Sequence, residues 1–466
     1  MAEQFDVVIV GARCAGAPLG TLLAGKGVKV AVIEQATFPR DTLSSHLFEA
    51  DAVAFLDRLG LTGQLLASGA PVVNRADIRI EDCRFSIPWP QAPGDVGGMM
   101  SVRRHVLDPI LAGAAAGAGA EVRMGTQVVG VREDGGRVAG VRVRSVGREH
   151  ELRARLVVGA DGRNSAIAAL CGARSYNVAA NQRALYWGYF EQADTGSDPA
   201  FLTHRWADRF VLAIPADAGL YQVLAWPEIS ALQRSGRQAA YDEQVRSCEP
   251  LTDALAGARQ AGKLYGASRW QGFFREASGP GWVLLGDAGH FKDPAPGRGI
   301  ADAFMQAVAL AAAITAGLGR PDTHLDQAMA QWGRWRDREF AGHYWLANDL
   351  GQSGPVPAVL TEIVRRLNEQ GQAGMFLDLL NHRAKPSQVL TASRLMAATG
   401  RLMARRRGQR RAVLHEAAGL VASDARRRWR NRSPRYAPDS ADAAPSARKP
   451  GAYPIHNLHQ APAGLR

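Results

Sequence analysis

The chain has 466 residues, of which 46% are apolar and 7% aromatic, and it carries a formal net charge of +12. That length buries large cores and predicts two domains with appendages. The charge is local: residues 401–466 hold 15 Lys and Arg against 4 Asp and Glu, a surplus of 11, so the preceding body stands near +1 and is not a nucleic-acid enzyme by charge.

Four widely spaced cysteines, Cys14, Cys83, Cys171 and Cys248, form no CxxC pair and suggest a reducing compartment. The N-terminus shows no basic leader, and the longest apolar candidate, residues 303–318, is short and interrupted by Gln306. The expectation is a cytoplasmic chain without a membrane span, free to oligomerise.

In chain order, residues 5–11 (FDVVIVG) read as a buried strand ending at Gly11. A turn follows, then small and apolar residues at helical spacing (Ala17, Leu19, Leu22, Leu23), and a second strand over 28–33 closed by Glu34. This is the order and distance of a dinucleotide fingerprint, in which residues without bulk bring backbone N–H groups and a helix N-terminus onto a pyrophosphate. Gly11, Ala12, Ala15 and Gly16 fit that turn; Arg13 stands where the second glycine belongs and either turns away or pairs with phosphate.

Residues 36–46 (ATFPRDTLSSH) read as a polar loop, 49–59 as an amphipathic helix, and 77–88 as two short strands joined around Asp82. Ser101 is expected to cap a helix from Val102 that carries Arg103 and Arg104. Residues 128–144 and 150–158 form a hairpin pattern around Asp134-Gly135-Gly136, ending in Gly159-Ala160-Asp161-Gly162.

Antiparallel strands are expected over 184–190, 201–206, 210–215, 220–226 and 265–274, with a helix over 233–248. Residues 282–287 return to a buried strand ending in Gly286-Asp287. Long helices follow over 300–318 and 322–350, the second with a packing stripe of Met329, Trp332, Phe340, Trp345 and Leu346.

The fold class is α/β. A Rossmann-like cofactor-binding domain (1–75, 98–180 and 276–345) is interleaved with an antiparallel-sheet substrate domain (76–97 and 181–275). A helical appendage (346–410) and a basic, disordered tail (411–466) complete the layout, with a frayed helix expected from Arg401.

Three Gly/acid strand ends, at Gly11, Asp161-Gly162 and Gly286-Asp287, lie far apart in sequence. Ligands bind beyond the carboxyl ends of parallel strands, so the three can meet around one long cofactor. The stretch from Asp287 to Gly299, with Pro294 and Gly297, supplies small residues before a helix start, where backbone N–H groups face a ligand.

These motifs resemble the flavoprotein monooxygenases of the p-hydroxybenzoate hydroxylase fold, a group that also includes geranylgeranyl reductase-like enzymes and flavin halogenases. GARCAG (Gly11–Gly16) with Glu34 matches the adenosine side, GADGRNS (Gly159–Ser165) the DG motif, and Gly286-Asp287 the GD motif, continuing through Pro294, Gly297 and Gly299 beside the flavin. The basic start Arg103-Arg104 and the loop from Phe38 to His46, with Arg40, are similar to cofactor-contacting segments. Pro296 and Arg298 depart from the pattern. The halogenase WxWxIP and its lysine have no counterpart, and Leu43-Ser44-Ser45-His46 replaces the reductase cysteine loop.

The resemblance implies bound FAD, NADPH or NADH as transient hydride donor, and O₂ as co-substrate. A flavin C4a-hydroperoxide would then hydroxylate or epoxidise an aromatic or hydrophobic organic metabolite. His46 is the expected catalytic side chain, because neutral imidazole accepts a phenolic proton or orients substrate; packing against the cofactor is its other reading. His290 is expected to fix its loop, and Lys292 and Arg298 are either anion-holding or solvated loop charges.

The main rival is an FAD-dependent ene-reductase or dehydrogenase of the geranylgeranyl reductase-like type. A third reading is an FAD-retaining interaction module that uses the basic tail on an anionic or membrane surface. No specific nucleic-acid site and no metal are expected.

Overall fold

The computed structural model describes residues 3–40, 42 and 44–437; the part of the expected tail beyond 437 lies outside them. The first strand, Glu3–Val10, explains the architecture. Val7 and Ile9 point to one core, Phe5, Val8 and Val10 to another, and both sets are buried because the sheet is covered on both faces.

Glu3–Val10 runs parallel to Val30–Ile33 and to Arg148–Gly159. Trp282–Leu284 extends the sheet beside Arg148–Gly159, and Glu121–Arg123 beside Val30–Ile33. Helices Gly16–Ala24, Arg104–Gly117 and Gly299–Leu318 supply Leu19, Leu23, Leu107, Leu111, Phe304 and Ile314 to one face. The hairpin Thr126–Asp134/Arg137–Ser145 covers the other with Val138, Val141 and Val143.

A second, seven-stranded sheet takes Arg75–Ile80 and Cys83–Pro88 from the early excursion and five strands from 185–267. Its pairings are antiparallel except one. Ala200–Trp206 runs parallel to Arg75–Ile80, because that strand arrives from the cofactor-binding domain and not through a hairpin. A small sheet of Ser175–Ala180, Gln271–Arg275 and His290–Phe291 ties the two large ones together.

Gly299–Leu318 is long and apolar enough to cross a membrane, with 56% of its most apolar window buried inside the protein. The stripe on Asp322–Leu350 packs as expected: Met329, Trp332, Phe340 and Trp345 are buried.

Four local expectations are corrected. Ser101 does not cap its helix: its Oγ donates to Gln222 Oε1 at 2.7 Å, and Asp217 Oδ1 accepts the Arg103 N–H at 2.8 Å from across the fold. The helix therefore begins at Arg104. The helix over 233–248 is two, Ile229–Ser235 and Arg237–Arg246, divided by Gly236 at φ 79°. The strand over 265–274 is also two, Arg259–Ala267 and Gln271–Arg275.

The fourth correction is at the C-terminus. Residues placed in a disordered tail form a 23-residue helix, Arg410–Arg432. Val413 and Ala417 bury against Val359, Ile363, Ala398 and Leu402, an apolar seat the sequence does not reveal.

Candidate functional site

The fingerprint turn is built by close approach of backbone. Gly11 sits at φ 107°, and a Cβ there would lie 2.3 Å from the Ala160 carbonyl oxygen; a Cβ on Gly16 would lie 1.8 Å from the Gly11 oxygen. Gly16 therefore lets the helix seat on the strand, while Gly11 and Ala15 open onto the cavity. Ala12 and Gly16 are fully buried behind that surface.

Glu34 accepts from the backbone N–H groups of Ala12 (3.1 Å) and Ala36 (3.0 Å), which fixes its carboxylate at the end of the second strand. Arg13 is drawn aside. It pairs with buried Asp108 at 3.1 Å and Glu34 at 3.6 Å and lies over the Phe38 ring, so its side chain does not fill the turn. Asp108 also takes Arg104 Nε at 2.7 Å, one helical turn back. Arg104, buried where Arg103 is not, is the arginine set into the floor.

Arg103 lines the cavity, but its guanidinium is engaged by buried Asp217 at 2.8 Å and lies over the Tyr189 ring. Arg40 lines it from the exposed loop before His46.

At the DG end, Asp161 accepts from Ser165 Oγ and from the N–H groups of Ala166 and Ile167, shaping the turn that Gly162 makes at φ 79°. At the GD end, Gly286 adopts φ 61° with its N–H on Gln306 Oε1 (3.1 Å). Burial pushes Asp287 up to about 6, against the pull of Arg104 and Arg163. Pro294, Gly297 and Gly299 continue the wall into the start of Gly299–Leu318.

Lys292 and Arg298 are not solvated loop charges. Lys292 Nζ lies 2.5 Å from Asp302 and 3.1 Å from His382 Nε2. Arg298, fully buried, pairs with Asp51 (2.7 Å), Glu49 (3.3 Å) and Asp302 (3.4 Å). Sequence reading had no access to this cluster, because Glu49, Asp302 and His382 come from three segments without a shared motif. His290 packs on Phe274, Phe340 and Tyr344, and its ring nitrogens have no hydrogen-bond partner among the described residues.

The three strand ends, the loop from Glu34 to His46 and the second sheet enclose one cavity of about 2230 Å³. Single ligands of drug size occupy pockets of about 300–1,000 Å³, so this space accommodates a long cofactor and a second organic molecule.

His46 forms part of the wall on the sheet side, at φ 62°, with its N–H on Ser44 Oγ and its carbonyl accepting the Val102 N–H. Its Nδ1 lies 2.9 Å from the Tyr189 hydroxyl and 3.4 Å from Gln222 Nε2. The Gln222 amide oxygen is taken by Ser101, so its NH₂ faces His46. Nδ1 is then placed to accept from that amide. Trp187 stands edge-on to the imidazole at 5.7 Å and stacks with Tyr265 at 5.9 Å.

A profile described as FAD binding domain matches residues 4–331, more than half of the chain. The chain belongs to this FAD-binding family. The chain is similar to digeranylgeranylglycerophospholipid reductase of Methanocella arvoryzae, at 28% identity over 65% of this chain and 75% of that protein's length. Rifampicin monooxygenase of Streptomyces venezuelae is 27% identical over 67% of this chain and 65% of its own. Among solved structures, a flavin-dependent brominase, Bmp2, superimposes with a TM-score of 0.69 over 87% of this chain and all of its own, at 18% identity, a likeness of fold.

The chain is thus an FAD-binding oxidoreductase. The site fits that cofactor on its own terms: a Cβ at Gly11 or Gly16 would strike backbone and displace the turn, and a Cβ on a third glycine, Gly286, would lie 3.0 Å from the Ala15 Cβ. The DG and GD ends line the same cavity.

Proposed function

We propose that this FAD-binding oxidoreductase is an NAD(P)H-dependent monooxygenase acting on a flat aromatic or hydrophobic organic substrate. The observation that carries the reading is the His46–Tyr189 pair beside Trp187 and Tyr265, set in the same cavity as the FAD cradle. When bound, FAD supplies the hydride acceptor and the oxygen-transfer chemistry.

The chain's own residues do the rest. Trp187 and Tyr265 present ring surface to a flat substrate. The Tyr189 hydroxyl takes the substrate's phenolic proton as it passes its own to His46 Nδ1, so the substrate leaves the relay as phenolate, the tyrosine unchanged and the imidazole protonated. Gln222 and Ser101 hold the imidazole in the receiving tautomer. The second sheet walls off water from the reacting centre.

The test measures NADH and NADPH oxidation with O₂ uptake across an aromatic panel. Flavin reduction accelerated by one compound, matched by O₂ use and an oxygenated product, supports the reading; turnover without O₂ overturns it. His46→Ala and Tyr189→Phe are each expected to lower kcat by about 10²-fold or more, the span of positioned acid–base groups. Flavin absorbance should stay at the wild-type level. A kcat unchanged in both variants removes the pair from the mechanism.

The second reading is reduction of a carbon–carbon double bond, favoured by the similarity to digeranylgeranylglycerophospholipid reductase. Anaerobic consumption of an alkene with a stoichiometric hydride donor selects it.

A further inference from the structure

Helix Arg410–Arg432 contributes no residue to the cavity. It lies against the appendage through Val413 and Ala417, leaving the opposite face exposed. At 3.6 residues per turn, Leu414, Ala418, Val421, Ala425 and Trp429 fall within an arc of about 80°. All five are exposed, with Leu414 at 49%, Val421 at 55% and Trp429 at 54%. Arg411, Arg428 and Arg432 lie on the same side and are exposed too.

The helix carries seven arginines and two acids. Both acids are committed: Glu416 accepts the Val359 N–H at 2.7 Å, and Asp424 pairs with Arg428 at 2.7 Å. The outward strip of Leu414, Val421 and Trp429, with Arg411, Arg428 and Arg432 beside it, joins exposed apolar area to positive charge, the two terms that hold a helix on an anionic lipid surface.

We infer that the outward face of Arg410–Arg432 docks on an anionic phospholipid surface, Leu414, Val421 and Trp429 entering the headgroup boundary and the arginines meeting lipid phosphate. Charge complementarity selects anionic over neutral lipid, and the stripe selects lipid over nucleic acid. Phosphate contacts alone give no reason to expose Leu414 and Val421 together. The inference stands apart from the chemistry of the FAD cavity.

The test uses the full chain with FAD bound. It is pelleted with phosphatidylcholine vesicles, alone or with about one quarter phosphatidylglycerol, a charge that attracts basic segments. Binding to the anionic vesicles is expected to be at least about tenfold tighter, and to weaken as salt shortens the Debye length from about 10 Å to about 3 Å.

Leu414→Ser with Val421→Ser, and separately Arg411→Gln with Arg432→Gln, should each reduce that binding several-fold while the flavin spectrum stays unchanged. Equal binding to both vesicle types, or no binding to either, overturns the inference. So does duplex DNA binding that the arginine variant weakens and the Leu414/Val421 variant leaves intact, if vesicle binding is insensitive to both.

Discussion

Gly16→Ala is expected to give a protein that no longer retains FAD. The added methyl would lie 1.8 Å from the Gly11 carbonyl oxygen and 2.9 Å from Ile9 Cγ2. The nearest obstacle is backbone, so no rotamer relieves it; either the helix Gly16–Ala24 lifts from the strand or the turn at Gly11 moves. Both displace the N–H groups that face the pyrophosphate.

Overpacking of this kind costs about 1–3 kcal/mol in a core. Here the distortion falls on the cradle, and every 1.4 kcal/mol withdrawn from binding is about a tenfold loss of affinity. The flavin-to-protein absorbance ratio after gel filtration measures the effect. Arg13→Gly is the control: its side chain already lies aside on Asp108 and Glu34, so FAD should remain bound. Full flavin content in Gly16→Ala would refute the assignment of this turn.

Arg298→Met is the second large effect. Arg298 is fully buried and serves Glu49, Asp51 and Asp302 together. Removing one partner of a buried ion pair costs about 3–5 kcal/mol, because the remaining charges keep their desolvation without compensation. Urea unfolding of the FAD-free protein should show the loss as a lowered midpoint at unchanged slope.

The loss has a pH signature. Burial pushes Glu49 from 4.5 up to about 8, despite the Arg298 guanidinium beside it. Burial alone would raise Asp51 as well, but Arg298 holds its carboxyl below the usual carboxylate range. Between pH 4.5 and about 8 the folded state keeps a proton on Glu49 that the unfolded chain has released. Stability contributed by that group is therefore complete below pH 4.5, falls as pH rises through the window, and levels off above about 8. Glu49→Gln is expected to remove this slope. Without Arg298 the Glu49 carboxyl rises further, so in Arg298→Met the decline should extend to higher pH. A wild-type midpoint that is flat across the window, and equal to that of Glu49→Gln, would overturn the account.

The elements that were legible in the sequence are those whose signal is local. The strand Glu3–Val10, the turn Gly11–Gly16 and the Gly286-Asp287 strand end each write their geometry into adjacent residues, as a continuous apolar run or absence of bulk. What stayed hidden depends on partners remote in the chain. Asp217 takes over the capping that Ser101 was expected to perform. Lys292 and Arg298 read equally as anion-holding or solvated charges until Glu49, Asp51, Asp302 and His382 surround them.

The extent of the C-terminal helix stayed hidden for the same reason, a frayed helix from Arg401 and then disorder being expected. Its arginine-rich composition reads as unstructured when the seat for Val413 and Ala417 is out of view. His46 was legible as a residue of interest, but its tautomer was not, since Gln222 and Tyr189 reach it from the second sheet.

The split construction of the main sheet also bears on how the chain is made. Val7 and Ile9 lie in one core with Phe304, Ile314, Leu325 and Trp332, residues some three hundred positions later. At about 5–20 residues per second, a ribosome delivers those partners roughly 15–60 s after the first strand. The seven-stranded sheet, complete once Ala267 has emerged, has all its strands roughly 2–7 s before Phe304. Throughout that interval the N-terminal strand lacks the part of its cover that Gly299–Leu318 and Asp322–Leu350 supply, and the half that binds the cofactor closes after the second sheet has its strands.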